Sequence, residues 1–198
     1  MWAIVPVKPF NLAKSRLAQV LSDAARVDLV QRMFEHTLQI LRACRPSLEG
    51  TIVVSSDPRV LSLAVQHAVL PLAESGPDGL NSALVQAIQE AERLGAQAVL
   101  IVPTDLPSLS ADALREVLDL LPPAPGVAIA PDRRDEGTNT LALQPCAVLE
   151  PAFGRGSFHR HCAAAREGNA HIVVVRNAAL ALDVDTPEDL EHARDILS

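Results

Sequence analysis

The sequence has few cysteines, no long apolar run and no excess of positive charge. No hydrophobic stretch approaches the roughly 20 residues that a membrane helix needs, so we expect no membrane-spanning segment. The apolar start of the chain has no cationic segment before it, unlike a secretory signal peptide. The three cysteines, Cys44, Cys146 and Cys162, are odd in number and have no CxxC spacing. We therefore predict reduced thiols and a cytoplasmic location.

Composition also limits the class of partner and the number of domains. The formal net charge is -7 and the pI is about 5.3. This balance argues against a general nucleic-acid-binding protein, because such proteins usually carry a basic face. The chain has 198 residues, of which 48% are hydrophobic and 21% are charged. That composition is unlike a disordered sequence and suffices for one well-packed domain, which we predict over residues 1–198.

The first loop differs from this acidic background. After an apolar run at residues 2–7 come Lys8, Lys14 and Arg16, with no acidic residue among them. Exposed lysines and arginines often do no more than solvate a surface. Three cations at a strand exit can also bind phosphate, with lysine as a point charge and arginine as a bidentate donor. The loop lacks glycine, which excludes a Walker A or GxGxxG motif, and we predict a small anionic ligand.

Short apolar runs alternate with longer amphipathic stretches along most of the chain. The predicted strands are residues 2–7, 51–55, 67–72, 98–103, 126–130, 140–144, 171–175 and 179–183. Helical patterns lie between most of them, which is typical of parallel strands with helices on both faces of the sheet. A loop and a strand inserted after residue 130 predict a mixed sheet. The fold class is therefore α/β, with a Rossmann-like, mixed but mostly parallel sheet.

Carboxylates follow two of these predicted strands. Asp105 follows residues 98–103, and Asp183 and Asp185 lie at the end of residues 179–183. Ligands of open α/β sheets bind beyond the carboxyl ends of the strands, so these aspartates and the first loop should meet there. Carboxylate and phosphate oxygens are the ligands that Mg²⁺ prefers, which predicts a magnesium site. The alternatives are a turn-forming Asp105 and, for the D-x-D-T string, a phosphatase, although phosphatases carry that string after their first strand.

A second polar cluster predicts a smaller anion site. Thr138 lies in the polar loop 137–139, and Gly154 allows a close approach of the backbone to a ligand. Ser157 can donate its hydroxyl to an anion while it caps the helix that follows. Backbone N–H groups in this segment could bind a carboxylate or a phosphate. The alternative is a simple helix cap without a ligand.

Other polar residues have less specific interpretations. Asn81 and Ser82 could contact a nucleobase edge or cap the helix that they open, and capping is the simpler interpretation. His159 and His161 are two residues apart on a predicted helix and so do not face each other. We therefore predict no zinc site. The sequence also offers no convincing Ser-His-Asp or Cys-His set for nucleophilic catalysis.

Taken together, blocks from residue 4 to about residue 190 resemble the guanylyltransferases of coenzyme F-420 biosynthesis. The blocks are VPVKPFNLAKSRL, GLNSAL, VPTDLPSL, APDR followed by GTNTL, FGRGSF with a following RH, and ALDVDTPEDL. The resemblance implies the fold of the nucleotide-diphosphosugar transferases. It implies condensation of GTP with 2-phospho-L-lactate, phosphoenolpyruvate or 3-phospho-D-glycerate, with release of pyrophosphate. A downstream transferase that accepts the product would then be a partner.

The resemblance also implies roles for the residues already singled out. Asp105 with Asp183 and Asp185 would hold Mg²⁺, and Lys8 would contact the phosphate or the acid. The triphosphate would lie against Lys14 and Arg16, and the phosphorylated acid against Thr138, Gly154 and Ser157. The attacking phosphate oxygen is already anionic, so no general base is needed, and positioning with charge neutralisation suffices. One departure from the resemblance is the pair Asp135 and Glu136, where members of that family have glycine and threonine; the pair could change which acid is accepted or simply point to solvent.

Several alternatives remain at this point. Another nucleotidyltransferase of the same fold, with a molybdopterin or sugar-phosphate acceptor, would typically open with a glycine-rich loop that this chain lacks. A non-catalytic nucleotide-binding protein would bind GTP without turnover. A phosphatase would release phosphate without any nucleotide. The apolar surface at residues 61–69 would permit a homodimer.

Overall fold

The protein is built around one β-sheet. The computed structural model describes residues 1–75 and 79–197. Over these residues the sheet has seven strands, in the order β3-β2-β1-β4-β6-β5-β7. The strands are β1 Trp2–Pro6, β2 Gly50–Ser55, β3 Leu70–Ala73, β4 Val99–Ile101, β5 Gly126–Pro131, β6 Thr138–Gln144 and β7 His171–Val174. Neighbouring pairs among β3, β2, β1 and β4 are parallel, as is the pair β5 and β7. Strand β6 runs antiparallel to both β4 and β5, so the predicted mixed sheet is confirmed.

Helices cover both faces of this sheet. The helices are α1 Asp23–Ala43, α2 Pro58–Gln66, α3 Leu80–Arg93, α4 Ala111–Asp119, α5 Ser157–Glu167, α6 Ala178–Ala181, α7 Pro187–His192 and α8 Arg194–Leu197, with a short 3₁₀ helix at Ser15–Gln19. Local chemistry starts several of them. Ser22 caps α1 by accepting from the Ala25 N–H, and Thr186 and Asp189 form a reciprocal capping box at α7.

The strands bury both of their faces, which explains their nearly continuous apolar sequence. In β1, Ala3 and Val5 pack into a core with α1, α2 and α4, whereas Ile4 packs into a second core with α3 and α5. This separation follows from the two-residue repeat of a strand. Each fully buried Leu or Ile side chain in these cores contributes about 1.5–3 kcal/mol.

The predicted strand at residues 179–183 is wrong. Those residues form the short helix α6, Ala178–Ala181, followed by a segment outside the sheet. The Asn177 side chain accepts a hydrogen bond from the Ala179 N–H and so starts a helical turn, and alanine favours that turn. The Val184 N–H donates to the Asp105 carbonyl at 3.0 Å, which holds the segment beside the exit of β4.

Two further properties concern the cysteines and the membrane. Cys44, Cys146 and Cys162 are buried and free. In the part of the chain that the structure describes, no helix combines the length and the apolar character needed to cross a bilayer.

Candidate active site

Functional side chains gather at the edge of the sheet where the parallel strands end. The first loop leaves β1 at this edge, and Asp105 follows β4 there. Because β6 is antiparallel to its neighbours, its first residue, Thr138, lies at the same edge as the ends of β4 and β5. The structure therefore brings together residues that lie more than 100 positions apart in the sequence.

Buried polar contacts hold the first loop in place. Arg26 on α1 is 7% exposed and donates to the carbonyls of Asn11, at 3.0 Å, and Ala13, at 2.7 Å. The Phe10 N–H donates to the Asp57 carboxylate at 3.3 Å. The loop is thus tied to α1 and to the start of α2, which fixes the path along which its cations are presented.

The Lys14 ammonium lies between two of the predicted metal ligands. Its Nζ atom is 2.7 Å from Asp105 Oδ2 and 2.6 Å from Asp185 Oδ1, and the Lys14 side chain is 10% exposed. Burial lowers the pKa of Lys14, but the Asp105 and Asp185 carboxylates outweigh burial and raise that pKa above its ordinary value. These contacts join the first loop, the exit of β4 and the segment after α6.

Asp183 completes an acidic cluster around this ammonium. Burial and the neighbouring Asp105 and Asp185 carboxylates raise the pKa of Asp183 to about 6. Three carboxylates around one ammonium leave excess negative charge, so the cluster attracts a further cation. Within residues 1–75 and 79–197, no group of three or more His, Cys, Asp or Glu side chains is arranged to hold a metal ion by itself. The aspartates could hold a cation only together with oxygens from a ligand.

The other two cations of the first loop stay available. Lys8 and Arg16 are exposed, and neither side chain has a hydrogen-bond or ion-pair partner among the described residues. The chain contains only two lysines, and both lie in this loop. The loop therefore separates into Lys14, which joins the acidic cluster, and two cations that a phosphate could reach.

Thr138 and His161 form a buried pair on the other side of β4. Thr138, which was predicted in a loop, is the first residue of β6 and is 6% exposed. Its Oγ1 atom is 3.0 Å from Nδ1 of the fully buried His161. The Nε2 atom of His161 accepts from the Ala152 N–H at 2.9 Å. Strand β6 and the loop at residues 152–156 are thus connected through one imidazole.

The loop at residues 152–156 is further fixed by Asn81. The Phe153 N–H donates to Asn81 Oδ1 at 2.8 Å, and Asn81 Nδ2 donates to the Phe153 carbonyl at 3.2 Å. Helix α3 has Gly79 as its N-cap and no side-chain cap, so the capping interpretation of Asn81 and Ser82 is wrong. Ser82 is half-buried on the first turn of α3. A nucleobase contact by either residue remains a prediction.

Two glycines shape the turn that leads into α5. Gly154 has φ 117° and Gly156 has φ 70°, both in the region that side-chain-bearing residues rarely adopt. Gly156 is the N-cap and Ser157 is the first helical residue, so the predicted capping by Ser157 is wrong. Ser157 is 1% exposed, and its hydroxyl has no hydrogen-bond partner among the described residues. That hydroxyl is free to serve a ligand.

The acidic pair that departs from the family pattern faces other groups. Arg176 donates to both oxygens of Asp135, at 2.6 and 3.0 Å. These hydrogen bonds hold the pKa of Asp135 below its usual value. Glu136 has an exposed side chain, and its carbonyl accepts from the Phe158 N–H at 3.1 Å. Asp135 is thus neutralised by an arginine, while Glu136 contributes its backbone to the start of α5.

Sequence reasoning missed Arg26 and His161. Both act through contacts with backbone or side chains 9 to 23 positions away. A signal for His161 was present, because Ser157 and His161 are four residues apart and so share one face of α5. From the sequence, His161 was considered only as a candidate zinc ligand. Nothing in the sequence around Arg26 distinguishes it from a surface arginine of an amphipathic helix.

Burial of His161 gives a testable dependence of stability on pH. Burial and the nearby Arg160 lower the pKa of His161 from 6.5 to about 4. Between pH 6.5 and pH 4 the His161 imidazole is therefore protonated in the unfolded chain but not in the folded chain. The free energy of unfolding then falls as the pH decreases from 6.5 towards 4. The loss attributable to this group is about 3 kcal/mol. Urea unfolding across this range should show a steeper decline for the wild type than for His161→Gln; equal slopes would contradict the assignment.

Comparison with solved structures identifies the fold. A protein described as a nucleotide-diphospho-sugar transferase, from Desulfovibrio desulfuricans G20, superimposes with a TM-score of 0.75 over 99% of this chain and 96% of its own, at 15% identity. The fold is therefore that of the nucleotide-diphospho-sugar transferases. The carboxylates and the cationic first loop lie at the edge where α/β sheets of this kind bind ligands.

Sequence comparison gives the family. The family described as Guanylyl transferase CofC like matches residues 1–194, and the chain belongs to it. The phosphoenolpyruvate guanylyltransferase of Sphaerobacter thermophilus is 44% identical over 190 residues, which cover 96% of this chain and 90% of that protein. The 2-phospho-L-lactate guanylyltransferase of Methanothermobacter thermautotrophicus is 35% identical over 208 residues, with 98% and 88% covered. The resemblance that the sequence blocks indicated is confirmed.

Proposed function

We propose that the protein transfers GMP from GTP to a small phosphorylated three-carbon acid and releases pyrophosphate, as a step in coenzyme F-420 biosynthesis. The observation that carries the proposal is the contact of Lys14 with both Asp105 and Asp185. That contact assembles the first loop and the acidic cluster into one site, which supports binding of a metal with nucleotide phosphates. Membership of the guanylyltransferase family supports GTP as the donor.

Phosphoenolpyruvate is the acid that we propose first. Relatives named for phosphoenolpyruvate reach 44% identity, whereas one named for 2-phospho-L-lactate reaches 35%. In the proposed site the acid lies against Thr138, Gly154 and Ser157. The hydroxyl of the buried residue Ser157 and the backbone N–H groups beside Gly154 suit a phosphate or carboxylate, because both anions accept several hydrogen bonds.

Magnesium is part of the proposal. The aspartates fit Mg²⁺ chemically, since they supply hard oxygen donors and excess negative charge, and since Mg²⁺ commonly completes its coordination with substrate phosphates. Asp105, Asp183 and Asp185 would hold it. When bound, Mg²⁺ would neutralise phosphate charge that develops during transfer.

The residues of the chain then have separate tasks. Lys8 and Arg16, exposed and unpaired among the described residues, would bind and neutralise the triphosphate. Lys14 would keep the first loop against Asp105 and Asp185. The hydroxyls of Thr138 and Ser157 would orient the acid, whose phosphate oxygen attacks the α-phosphorus of GTP while pyrophosphate leaves. That oxygen is anionic before it attacks, so the chain needs no general base.

Pyrophosphate release tests the proposal. Each of the three acids would be offered separately with GTP and Mg²⁺, and then with ATP or without metal. Release with GTP, Mg²⁺ and one acid is the expected result. Phosphate release without nucleotide would favour a phosphatase, and GTP binding without turnover would favour a non-catalytic protein. The assay would be repeated with the downstream transferase, which consumes the product, so that an unstable product cannot accumulate and stop the reaction.

The remaining parts of the proposal concern partners and location. A cytoplasmic location fits substrates that are intracellular metabolites. The downstream transferase would receive the product directly. A homodimer through residues 61–69 is also part of the proposal, and Val65 on α2, which is 62% exposed, lies in that segment.

The anchoring of the first loop gives a further prediction. Arg26→Met removes the donors to Asn11 and Ala13, so the loop should loosen. We expect a roughly 10-fold higher KM for GTP and a loss of about 1–2 kcal/mol in the free energy of unfolding. Steady-state kinetics and urea unfolding measure the two effects. Arg32→Met, an exposed position on the same helix, is the control, and an unchanged KM in Arg26→Met would show that the anchor does not serve nucleotide binding.

A further inference from the structure

The hydrogen bonds of His161 determine which of its nitrogens carries the proton. A backbone N–H can only donate, so Nε2, which receives the Ala152 N–H, must be unprotonated. The ring is fully buried and neutral at pH 7, because burial lowers its pKa to about 4. Its single proton therefore lies on Nδ1. The ring must then donate to Thr138 Oγ1, 3.0 Å away.

This tautomer leaves the Thr138 hydroxyl proton unused. The oxygen accepts from His161, and no described residue accepts the Thr138 O–H. Thr138 is 6% exposed and lies at the carboxyl edge of the sheet. Ser157, one helical turn before His161, is 1% exposed; no described residue is hydrogen-bonded to its hydroxyl, whose oxygen is not fully enclosed. Two hydroxyl protons in this region that no described residue accepts can both be donated to a ligand that supplies the acceptors.

We propose that His161 is a positioning residue: through its Nδ1–H it fixes Thr138 so that the threonine hydroxyl donates to the phosphorylated acid. This inference rests on the proposed function, in which the acid lies against Thr138. With the imidazole donor in place, the Thr138 oxygen already has its donor, and the hydroxyl proton points away from the ring. The hydroxyl then meets an anion as a donor without reorienting on binding.

The surroundings of the imidazole hold it rigidly enough for this role. The Phe153 ring packs edge-on against the imidazole with centroids 5.0 Å apart. Asn81 clamps the backbone of Phe153 on both sides. Arg160 donates to the Ala152 carbonyl at 2.7 Å and also to the Arg155 carbonyl. The same ring therefore fixes Thr138 on β6 and the acid-binding turn at residues 152–156.

Two substitutions separate the two hydrogen bonds. In His161→Gln the amide oxygen lies near the former Nε2 and can accept from Ala152, but the donor to Thr138 is lost. In His161→Asn the amide nitrogen lies near the former Nδ1 and can donate to Thr138, but the acceptor for Ala152 is lost. We expect His161→Gln to raise the KM for the acid about 10- to 100-fold, with the KM for GTP unchanged. His161→Asn should keep the KM for the acid within about threefold of the wild type.

A double-mutant cycle tests whether His161 acts through Thr138. Thr138→Val alone should raise the KM for the acid, and adding it to His161→Gln should raise that KM little further. Additive effects would overturn the positioning role. His159→Gln, at an exposed neighbouring histidine on α5, is the matched control, and thermal unfolding checks that each variant folds.

A spectroscopic readout is independent of catalysis. Long-range ¹H–¹⁵N correlation spectra of the histidine rings should show His161 protonated on Nδ1, and protonation on Nε2 would overturn the inference whatever the activity. A wild type that turns over no acid overturns the proposed function and, with it, the role of Thr138. A wild type that turns over normally while His161→Gln keeps the wild-type KM for the acid overturns the positioning role alone.

Discussion

Asp105→Asn is expected to lower turnover about 1,000-fold and to leave the protein folded. The substitution keeps the shape of the side chain and an oxygen that Lys14 can still donate to, but removes one negative charge from the acidic cluster. Lys14 retains its contact with Asp185, so the first loop should remain in place. The pKa of Asp183 should fall, because one of the two carboxylates that raise it becomes neutral.

The rate of pyrophosphate release and the thermal midpoint measure the two parts of this prediction. Asp112→Asn is the matched control, since Asp112 lies on α4 with its side chain 93% exposed and pairs with Arg115 on the same helix. Turnover in Asp105→Asn within a factor of about 10 of the wild type would remove the carboxylate from the proposed metal and phosphate site.

Lys8→Ala is expected to lower turnover about 100- to 1,000-fold without any loss of stability. Lys8 is exposed and has no partner among the described residues, so its removal breaks no hydrogen bond or ion pair in that part of the chain. The expected loss therefore comes only from the charge that Lys8 supplies to a phosphate. Lys8→Arg keeps that charge on a longer, planar group and should recover part of the rate.

The contrast between Lys8 and Lys14 sharpens this test. Both are in the first loop, but among the residues that the structure describes only Lys14 is paired with aspartates. Lys14→Met should lower both the rate and the stability, whereas Lys8→Ala should lower the rate alone. Arg45→Ala, an exposed cation beyond the end of α1, is the control for a general loss of positive charge. A wild-type rate in Lys8→Ala would exclude Lys8 from the mechanism.

The sequence was sufficient to predict the edge of the sheet where the site lies. Parallel strands in an α/β fold end at one edge, so a strand exit is enough to place Lys8 and Asp105 near each other. Asp183 and Asp185 reach the same edge for a different reason from the predicted one. They do not follow a strand; the backbone of Val184 is hydrogen-bonded to that of Asp105 instead.

Local propensity misled the prediction around two turns. The apolar residues at 179–182 are equally compatible with a strand and with a buried helical turn. The Asn177 cap favours the helix. A serine before an amphipathic run suggests an N-cap, but Gly156 takes that position, and the Ser157 hydroxyl has no partner in the part of the chain that the structure describes. The discrepancy at Ser157 is informative, because a residue that gives up a local role is available for a ligand.

Pairing between distant residues was beyond what the sequence could predict. Lys14 was expected on the triphosphate, and only the folded chain shows that it bridges aspartates 91 and 171 positions away. The double hydrogen bond from Asn81 to Phe153 spans 72 positions. Such contacts depend on how strands and loops meet in space, which periodicity and turn signals do not specify.

The position of an oxygen label tests the central claim most directly. The acid would carry ¹⁸O on its phosphate, and ³¹P NMR would follow its reaction with GTP and Mg²⁺. If the acid's phosphate oxygen attacks the α-phosphorus, the label must appear in the bridge to the GMP phosphorus and pyrophosphate must be unlabelled. Label in released phosphate or pyrophosphate, with none attached to the GMP phosphorus, would contradict guanylyl transfer at this site.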